Sequence, residues 1–214
     1  MGKLKRYTPG AVELREEPDK PTKGFGHFLV FNQETELWPG FREKIDPSAL
    51  DDVLNDDVAV MTNHDSNMIM ARTAAGNAWI GKDSTGGTVE WIFPNTTAGN
   101  DTRENMRVGN ITGMSFGFTV KDDKLERDNE TGIVIRTILK LERLYDASPV
   151  AFPAYLQTDT QLRQEYRAEI ESRDDYPKEE ATVEDPANNP DDDLAKVNAE
   201  QKMLALRISI NKNK

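Results

Sequence analysis

The amino-acid sequence predicts a mainly β-fold with short helices, of the α+β class, on three observations. Several stretches alternate large apolar residues with small or polar ones, which is the period of a β-strand. The clearest alternation runs from Gly113 to Val120, with methionine and phenylalanine on one face and serine, glycine and threonine on the other. Turns rich in glycine and aspartate separate these stretches, and the helical patterns between them are short.

The N-terminal part of the chain predicts an arm, a strand and the start of a helix. Residues 1–23 are polar and contain three prolines, so we expect an arm with little structure. A strand is expected over residues 24–31, because both of its faces are largely apolar, as in a strand buried on two sides. Trp38-Pro39-Gly40 predicts a turn. Asp46 followed by Pro47 predicts a helix start, with Asp46 as the N-cap.

The middle of the chain predicts further strands and one short helix. Residues 58–61 form a short apolar run that ends in a polar cluster at 62–65. A polar cluster directly after a buried strand is where side chains reach a cleft. A strand pair is predicted within residues 78–93, around a glycine-containing turn. A helix is predicted over residues 100–109, beginning after residue 100 or 101.

A second long strand is predicted after the serine-containing one. We expect a charged loop at residues 121–130 and then a strand at 133–144. One face of this strand carries four large apolar residues, namely Ile133, Ile135, Leu139 and Leu141. Residues 148–155 close the core, and their two prolines exclude a helix.

The character of the chain changes after Tyr155. Residues 160–172 predict a polar helix, and residues 174–193 hold nine acids against a single lysine, with few apolar residues. Such a composition is typical of disorder, because the segment cannot bury enough apolar surface to fold. The predicted organisation is therefore a flexible arm (1–23), one main domain (24–158) and a charged, largely disordered tail with short helical pieces (159–214).

The composition excludes several classes of function. The chain has no cysteine, so it forms no disulfide, thiolate zinc site or cysteine nucleophile. Its net charge of −11 argues against nucleic acid as the main partner. No apolar run approaches the length of a membrane span, and no apolar stretch follows the basic N-terminus as in a secretory signal. We therefore expect a soluble, intracellular protein without a metal ion or cofactor.

Ser115 lies in the only stretch that matches a catalytic pattern. Gly113-Met114-Ser115-Phe116-Gly117 fits the Gly-x-Ser-x-Gly nucleophile elbow of lipases and esterases, in which the histidine follows the serine in the chain. This chain has two histidines, His27 and His64, and both precede Ser115. The elbow fold is therefore excluded. Ser115 is either a structural residue of a strand or a nucleophile whose base lies upstream.

A serine nucleophile needs a base within hydrogen-bond reach and a third group that orients this base. His64 follows a buried strand and is the candidate base, whereas His27 lies on an apolar strand face and is expected to be packed in the core. Asp146, at the end of the second long strand, is the candidate orienting acid. Asp65 is too close to His64 in sequence to reach back to its ring, and Glu142 lies further inside the strand.

Several segments in a fixed order carry a family resemblance. They are Val30–Asn32, Phe41–Leu50, Asn63–Asp65 with Arg72–Thr73, Gly113–Phe118, Asp146–Val150 and Pro153–Tyr155. With these segments the chain resembles the prohead proteases of tailed bacteriophages, of the type whose capsid protein has the fold shared with herpesviruses. The resemblance covers residues 24–158. Ala71 departs from the family pattern, which usually has glycine at this position.

The resemblance implies a fold and a set of site residues. The fold would be similar to that of herpesvirus assembly proteases, a closed antiparallel β-barrel with helices packed around it. Ser115 would be the nucleophile and His64 the general base. Asp146 would be the third catalytic member, because the third member of the viral relatives also lies after the serine, on a later strand. In those relatives the third member is a histidine. Backbone amides would stabilise the oxyanion.

The resemblance also implies a function and its partners. The protein would be a serine endopeptidase that cleaves the scaffolding segment of the major capsid protein, and itself, during procapsid maturation. It would act inside the assembling procapsid, in the cytoplasm of the bacterial host. Partners would be the major capsid protein with its scaffolding segment and further copies of the chain, without nucleic acid or membrane.

Two rival functions stay open at this point. An esterase with the same serine and histidine would turn over small acyl esters and have no protein substrate. A non-catalytic scaffold or capsid-binding module would use the acidic tail and leave Ser115 unreactive. Reaction of Ser115 with a serine-directed phosphonate separates an enzyme from a binding module.

Overall fold

Strands form most of the regular secondary structure in residues 4–8, 12–151 and 160–178, the parts of the chain that the computed structural model describes. In chain order the strands are β1 (Leu4–Thr8), β2 (Val12–Arg15), β3 (Lys23–Val30), β4 (Thr35–Trp38), β5 (Phe41–Ile45), β6 (Ala59–Met61), β7 (Ile69–Arg72), β8 (Ala78–Lys82), β9 (Gly86–Ile92), β10 (Gly113–Arg127) and β11 (Val134–Val150). The α-helices in these residues are α1 (Thr97–Arg107) and α2 (Thr160–Glu171). The fold is mainly β with few helices, as predicted.

The strands belong to two sheets. The larger sheet has the order β1-β10-β11-β5-β4, and β6 joins it by pairing with both β11 and β7. The smaller sheet has the order β2-β3-β9-β8. In the described parts of the chain, β1, β4 and β7 end the larger sheet, and β2 and β8 end the smaller one. The pairings therefore close neither sheet, and the closed barrel implied by the resemblance is not observed there.

Aromatic residues connect the two sheets in the core. Phe28 of β3 packs against Phe116 of β10, with 5.6 Å between the ring centroids. Phe116 in turn stacks on Phe118 at 4.8 Å. Both phenylalanines lie on the apolar face predicted for the serine strand, and both are buried. The opposite face is buried too, because Ser115 has no exposed surface.

Several local predictions are confirmed. Asp46 caps a single 3₁₀ turn, Pro47–Leu50, and its side chain accepts a hydrogen bond from the Ser48 amide at 2.8 Å. The apolar run before the polar cluster forms β6, and β8 and β9 form the predicted strand pair. The predicted helix forms as α1, but it begins at Thr97 rather than after residue 100. Its N-cap is Thr96, whose hydroxyl accepts a hydrogen bond from the Gly99 amide.

The prediction that residues 1–23 have little structure is wrong where this segment forms β1 and β2. β1 pairs with β10 and β2 pairs with β3, both antiparallel. Leu4 is buried in the core, and the guanidinium of Arg6 reaches the Glu43 carboxylate at 2.5 Å. Neither contact is local in sequence, so the polar composition of this segment did not indicate a strand.

The predicted charged loop at residues 121–130 is also wrong over most of its length. β10 continues as a strand to Arg127, and its partner β11 continues to Val150. Bulges interrupt this pairing, and the register with β10 passes over Glu142 and Tyr145 of β11. Each bulge reverses which side chains face the core. The buried residues of the strand are therefore not the predicted set; Val134, Ile138, Leu141 and Leu144 are fully buried.

A buried cluster of charges ties α2 to the larger sheet. We call it the Glu43 cluster, and it consists of Arg6, Glu43, Asp123, Arg136 and Tyr166. The Glu43 carboxylate accepts hydrogen bonds from Arg6, Arg136 and the Tyr166 hydroxyl, and Arg136 also pairs with Asp123. Tyr166 lies on α2, so residues beyond 158 contribute to the core.

The chain divides into two units, Met1–Pro177 and Lys178–Lys214. The predicted limits of the main domain, 24–158, stay a prediction. The predicted acidic, disordered stretch and the end of the tail lie almost wholly outside the described residues. Both α-helices in the described parts of the chain are too short and too polar to span a bilayer.

Candidate active site

Ser115 lies within β10, between two neighbouring strands. Its backbone is in register with Tyr7 of β1 on one side and with Ser148 of β11 on the other. The alternation of the sequence predicted this strand, and the structure has Ser115 inside it rather than at a strand-to-helix turn. The hydrogen-bonded ladders on both sides fix the backbone of the serine.

His64 reaches Ser115 from a tight turn that follows β6. The turn is a 3₁₀ segment, Thr62–His64, in which Asn63 and His64 both have left-handed backbone angles, φ 53° and 60°. Such angles are uncommon for residues other than glycine and need support from their surroundings. The Asn63 side chain accepts a hydrogen bond from the Ala151 amide at 3.0 Å, and the hydroxyls of Thr62 and Thr102 are 2.5 Å apart. These contacts anchor the turn to α1 and to the residue that directly follows β11.

Asp146 lies on β11, two residues before Ser148 and on the same face. In the register, it is opposite Gly117 of β10 on one side and next to Ala59 of β6 on the other. A glycine opposite Asp146 leaves the space beside the carboxylate free of a second side chain. Asp146 is fully buried. The parallel pairing with β6 brings the turn that carries His64 alongside this carboxylate.

The three side chains form one hydrogen-bonded chain. Nε2 of His64 is 2.6 Å from Oγ of Ser115, and Nδ1 of the same ring is hydrogen-bonded to Oδ1 of Asp146. A carboxylate accepts hydrogen bonds, so Nδ1 carries the proton and donates it to Asp146. Nε2 of the neutral ring is then the acceptor that faces the serine hydroxyl. The imidazole is 5% exposed, so little water competes for these bonds.

Residues 11–173 match the sequence profile of the caudovirus prohead serine protease family. The chain belongs to this family. It is therefore related to proteases of bacteriophage capsid maturation. Among solved structures, the chain is similar to the bacteriophage T4 capsid assembly protease, gp21, with 13% sequence identity and a TM-score of 0.45. That similarity covers 69% of this chain and 96% of the T4 protein. No curated protein sequence matches the chain.

The alternative candidates of this prohead protease lie elsewhere. His27 pairs with Asp83 of the turn between β8 and β9, with 2.9 Å between Nε2 and Oδ2, and it is only partly buried rather than packed in the core. Asp65 accepts hydrogen bonds from the backbone and side chain of Asn67. Glu142 is exposed. The structure thus brings His64, Ser115 and Asp146 together and leaves these three apart.

Sequence reasoning missed the groups that hold the three side chains of this family member in place. Ser148 was noticed only as part of a family segment, although its position two residues after Asp146 on a strand places both on one face. The roles of Asn63, Thr62 and Thr102 had no signal in the sequence, since they depend on contacts between distant segments. No group of three or more histidine, aspartate or glutamate side chains in the described residues is arranged to hold a metal ion.

Proposed function

We propose that this chain is the serine endopeptidase of procapsid maturation, with Ser115 as nucleophile, His64 as general base and Asp146 as the acid that orients it. The observation that carries the proposal is the continuous hydrogen-bonded chain from Asp146 through His64 to Ser115. It occurs in a member of the prohead serine protease family. Its three side chains could take the roles of nucleophile, base and orienting acid that the serine protease triad has on several unrelated folds.

In the first half of the reaction, Ser115 becomes acylated. Its Oγ attacks the scissile carbonyl carbon while Nε2 of His64 takes the hydroxyl proton. The Asp146 carboxylate stabilises the imidazolium that forms and holds the ring in its orientation. The proton then passes from Nε2 to the leaving amine, the C–N bond breaks, and the acyl group stays on Ser115.

In the second half, water releases the acyl group. His64 accepts a proton from the attacking water and returns it to Ser115 Oγ as the ester bond breaks. The products are a carboxylate and an amine, and the enzyme returns to its starting protonation state. The reaction needs no cofactor, because the three side chains provide nucleophile, base and orientation.

The proposed substrate is the scaffolding segment of the major capsid protein, and the chain itself is a second substrate. Cleavage would take place inside the assembling procapsid, in the cytoplasm of the bacterial host. Family membership supports a capsid-directed protease. Self-cleavage between copies would make further copies of the chain a second kind of partner.

Co-expression with the cognate major capsid protein tests this function. The unmodified chain should trim the capsid protein, and Ser115→Ala should abolish trimming. Ser84→Ala is the matched control, because Ser84 is an exposed serine in the turn between β8 and β9. Trimming by Ser115→Ala at the normal rate would contradict the assignment of the nucleophile. Turnover of acyl esters without trimming would favour an esterase, and no labelling by a fluorophosphonate would favour a capsid-binding module.

A further inference from the structure

Ser148 is a fourth polar group in the site, and the mechanism above gives it no role. It lies directly opposite Ser115 in the β10–β11 register and is fully buried. Directly opposed residues of antiparallel strands project to the same face, and so do residues two apart on one strand. Ser115, Asp146 and Ser148 therefore share one face of the sheet.

The Ser148 hydroxyl donates a hydrogen bond to Asp146. Its Oγ is 3.0 Å from Oδ1 of the carboxylate, the same oxygen that accepts from Nδ1 of His64. A carboxylate oxygen has two lone pairs and can accept both bonds. The His64 donor comes from the turn after β6 and the Ser148 donor comes from β11. Both are hydrogen-bonded to the same carboxylate oxygen.

A second donor restricts how the carboxylate can rotate. The terminal torsion of aspartate is broad, so packing alone holds it loosely. With Ser148 bonded to Oδ1, the oxygen that faces the imidazole stays in place when the hydrogen bond to His64 lengthens. A buried carboxylate also needs hydrogen-bond donors to stay ionised away from water. The Ser148 hydroxyl meets both needs without touching the reacting atoms.

We propose that Ser148 is a positioning residue that acts on the reaction only through Asp146, and this rests on the proposed function of the triad. Ser148 is not the nucleophile, because the hydroxyl at hydrogen-bond distance from Nε2 of His64 is that of Ser115. Loss of the Ser148 hydroxyl lowers the reactivity of Ser115. In a variant that already lacks the Asp146 carboxylate, the same loss does not change this reactivity further.

The test measures how fast a fluorophosphonate labels Ser115 in the purified full-length chain. Ser148→Ala should label about ten- to a hundredfold more slowly, the rate equivalent of one hydrogen bond to a charged group. Ser148→Thr keeps the hydroxyl and should label within about threefold of the parent chain. Thr137→Val is the matched control. Thr137 is a buried residue of the same strand whose hydroxyl has no hydrogen-bond partner in the described residues, so its loss should leave labelling unchanged.

A double mutant separates positioning from a merely structural effect. Asp146→Ala combined with Ser148→Ala should be no slower than Asp146→Ala alone, because residues that act as one unit are not additive. A second readout is the proton NMR signal of the His64 Nδ1 proton, observed in a His27→Gln background that leaves a single imidazole. This signal should shift in Ser148→Ala and stay in place in Thr137→Val.

Each outcome decides the proposal. Normal labelling of Ser148→Ala, or additive losses in the double mutant, would overturn the role of Ser148 while leaving the triad intact. Equal labelling of Ser115→Ala and the parent chain would instead overturn the proposed function itself. If Ser148→Ala does not fold, Ser148→Cys takes its place. A thiol is a weak donor of similar size, so normal labelling of that variant would contradict the proposal.

Discussion

Glu43→Gln should destabilise the protein more than any other single change in the charged clusters of its described residues. The Glu43 carboxylate is 3% exposed and accepts hydrogen bonds from Arg6 at 2.5 Å and from Arg136 and Tyr166 at 3.0 Å. Glutamine keeps the shape but removes the negative charge that both guanidiniums share, and it presents an NH₂ group to donors. Breaking a buried ion pair in this way costs roughly 3–5 kcal/mol.

The pH dependence of stability follows from the same carboxylate. Burial alone would raise the pKa of Glu43, but the charges of Arg6 and Arg136 and their hydrogen bonds outweigh it, so the pKa lies below its ordinary value. A depressed carboxylate pKa contributes stability that is fully present above the unfolded pKa. This contribution is lost as the pH falls through the lower, folded pKa, that is, below 4.5.

Urea unfolding between pH 7 and pH 3, in a Ser115→Ala background that prevents self-cleavage, measures both effects. Glu34→Gln is the control, because Glu34 pairs with Arg42 and Lys44 at the partly exposed surface. It should cost no more than about 1 kcal/mol. This account of the cluster would be refuted if the free energy of unfolding of Glu43→Gln at pH 7 lay within about 1 kcal/mol of the parent's. It would also be refuted if the variant lost as much stability as its parent between pH 7 and pH 3.

Three further changes have expected outcomes in the same assays. Asp146→Asn should slow capsid-protein trimming by about 10⁴-fold, because an amide can hold the wrong tautomer of the base; near-normal trimming would point to another acid. His27→Ala removes the partly exposed pair with Asp83 and an edge contact with the Phe25 ring, so it should leave trimming intact and cost at most about 2 kcal/mol in urea unfolding. Gly24→Ala would place a Cβ 2.1 Å from the Trp91 indole, so the melting temperature should fall, by the equivalent of roughly 1–3 kcal/mol. An unchanged melting temperature would mean that the indole can move aside.

The sequence predicted those parts of the site that depend on local pattern. Alternation placed Ser115 in a strand, and an apolar run that ends in polar residues placed His64 at the mouth of a cleft. Asp146 was expected at the end of the partner strand, and it lies on that strand next to the imidazole. Their catalytic roles stay a prediction until activity is measured.

Features that depend on long-range contacts were not predictable. β1 has few apolar residues, and it is held by β10 and by the Arg6–Glu43 ion pair, whose members are 37 residues apart. The strand part of residues 121–127 is charged and is held by pairing with β11 and, at Asp123, by the buried ion pair with Arg136. Each of the bulges at Glu142 and Tyr145 shifts the alternation of faces by one residue, and no periodicity in the sequence marks them.

The distances along the chain between the partners in the site have a consequence for protein synthesis. His64 is 51 residues from Ser115 and 82 residues from Asp146. In the proposed mechanism, a growing polypeptide acquires its base 82 residues and its nucleophile 31 residues before the acid that orients the base. Contacts between such remote segments form late, because closing long loops costs entropy. Incomplete chains should therefore be inert, and translation itself would protect newly made capsid proteins from premature cleavage by nascent protease.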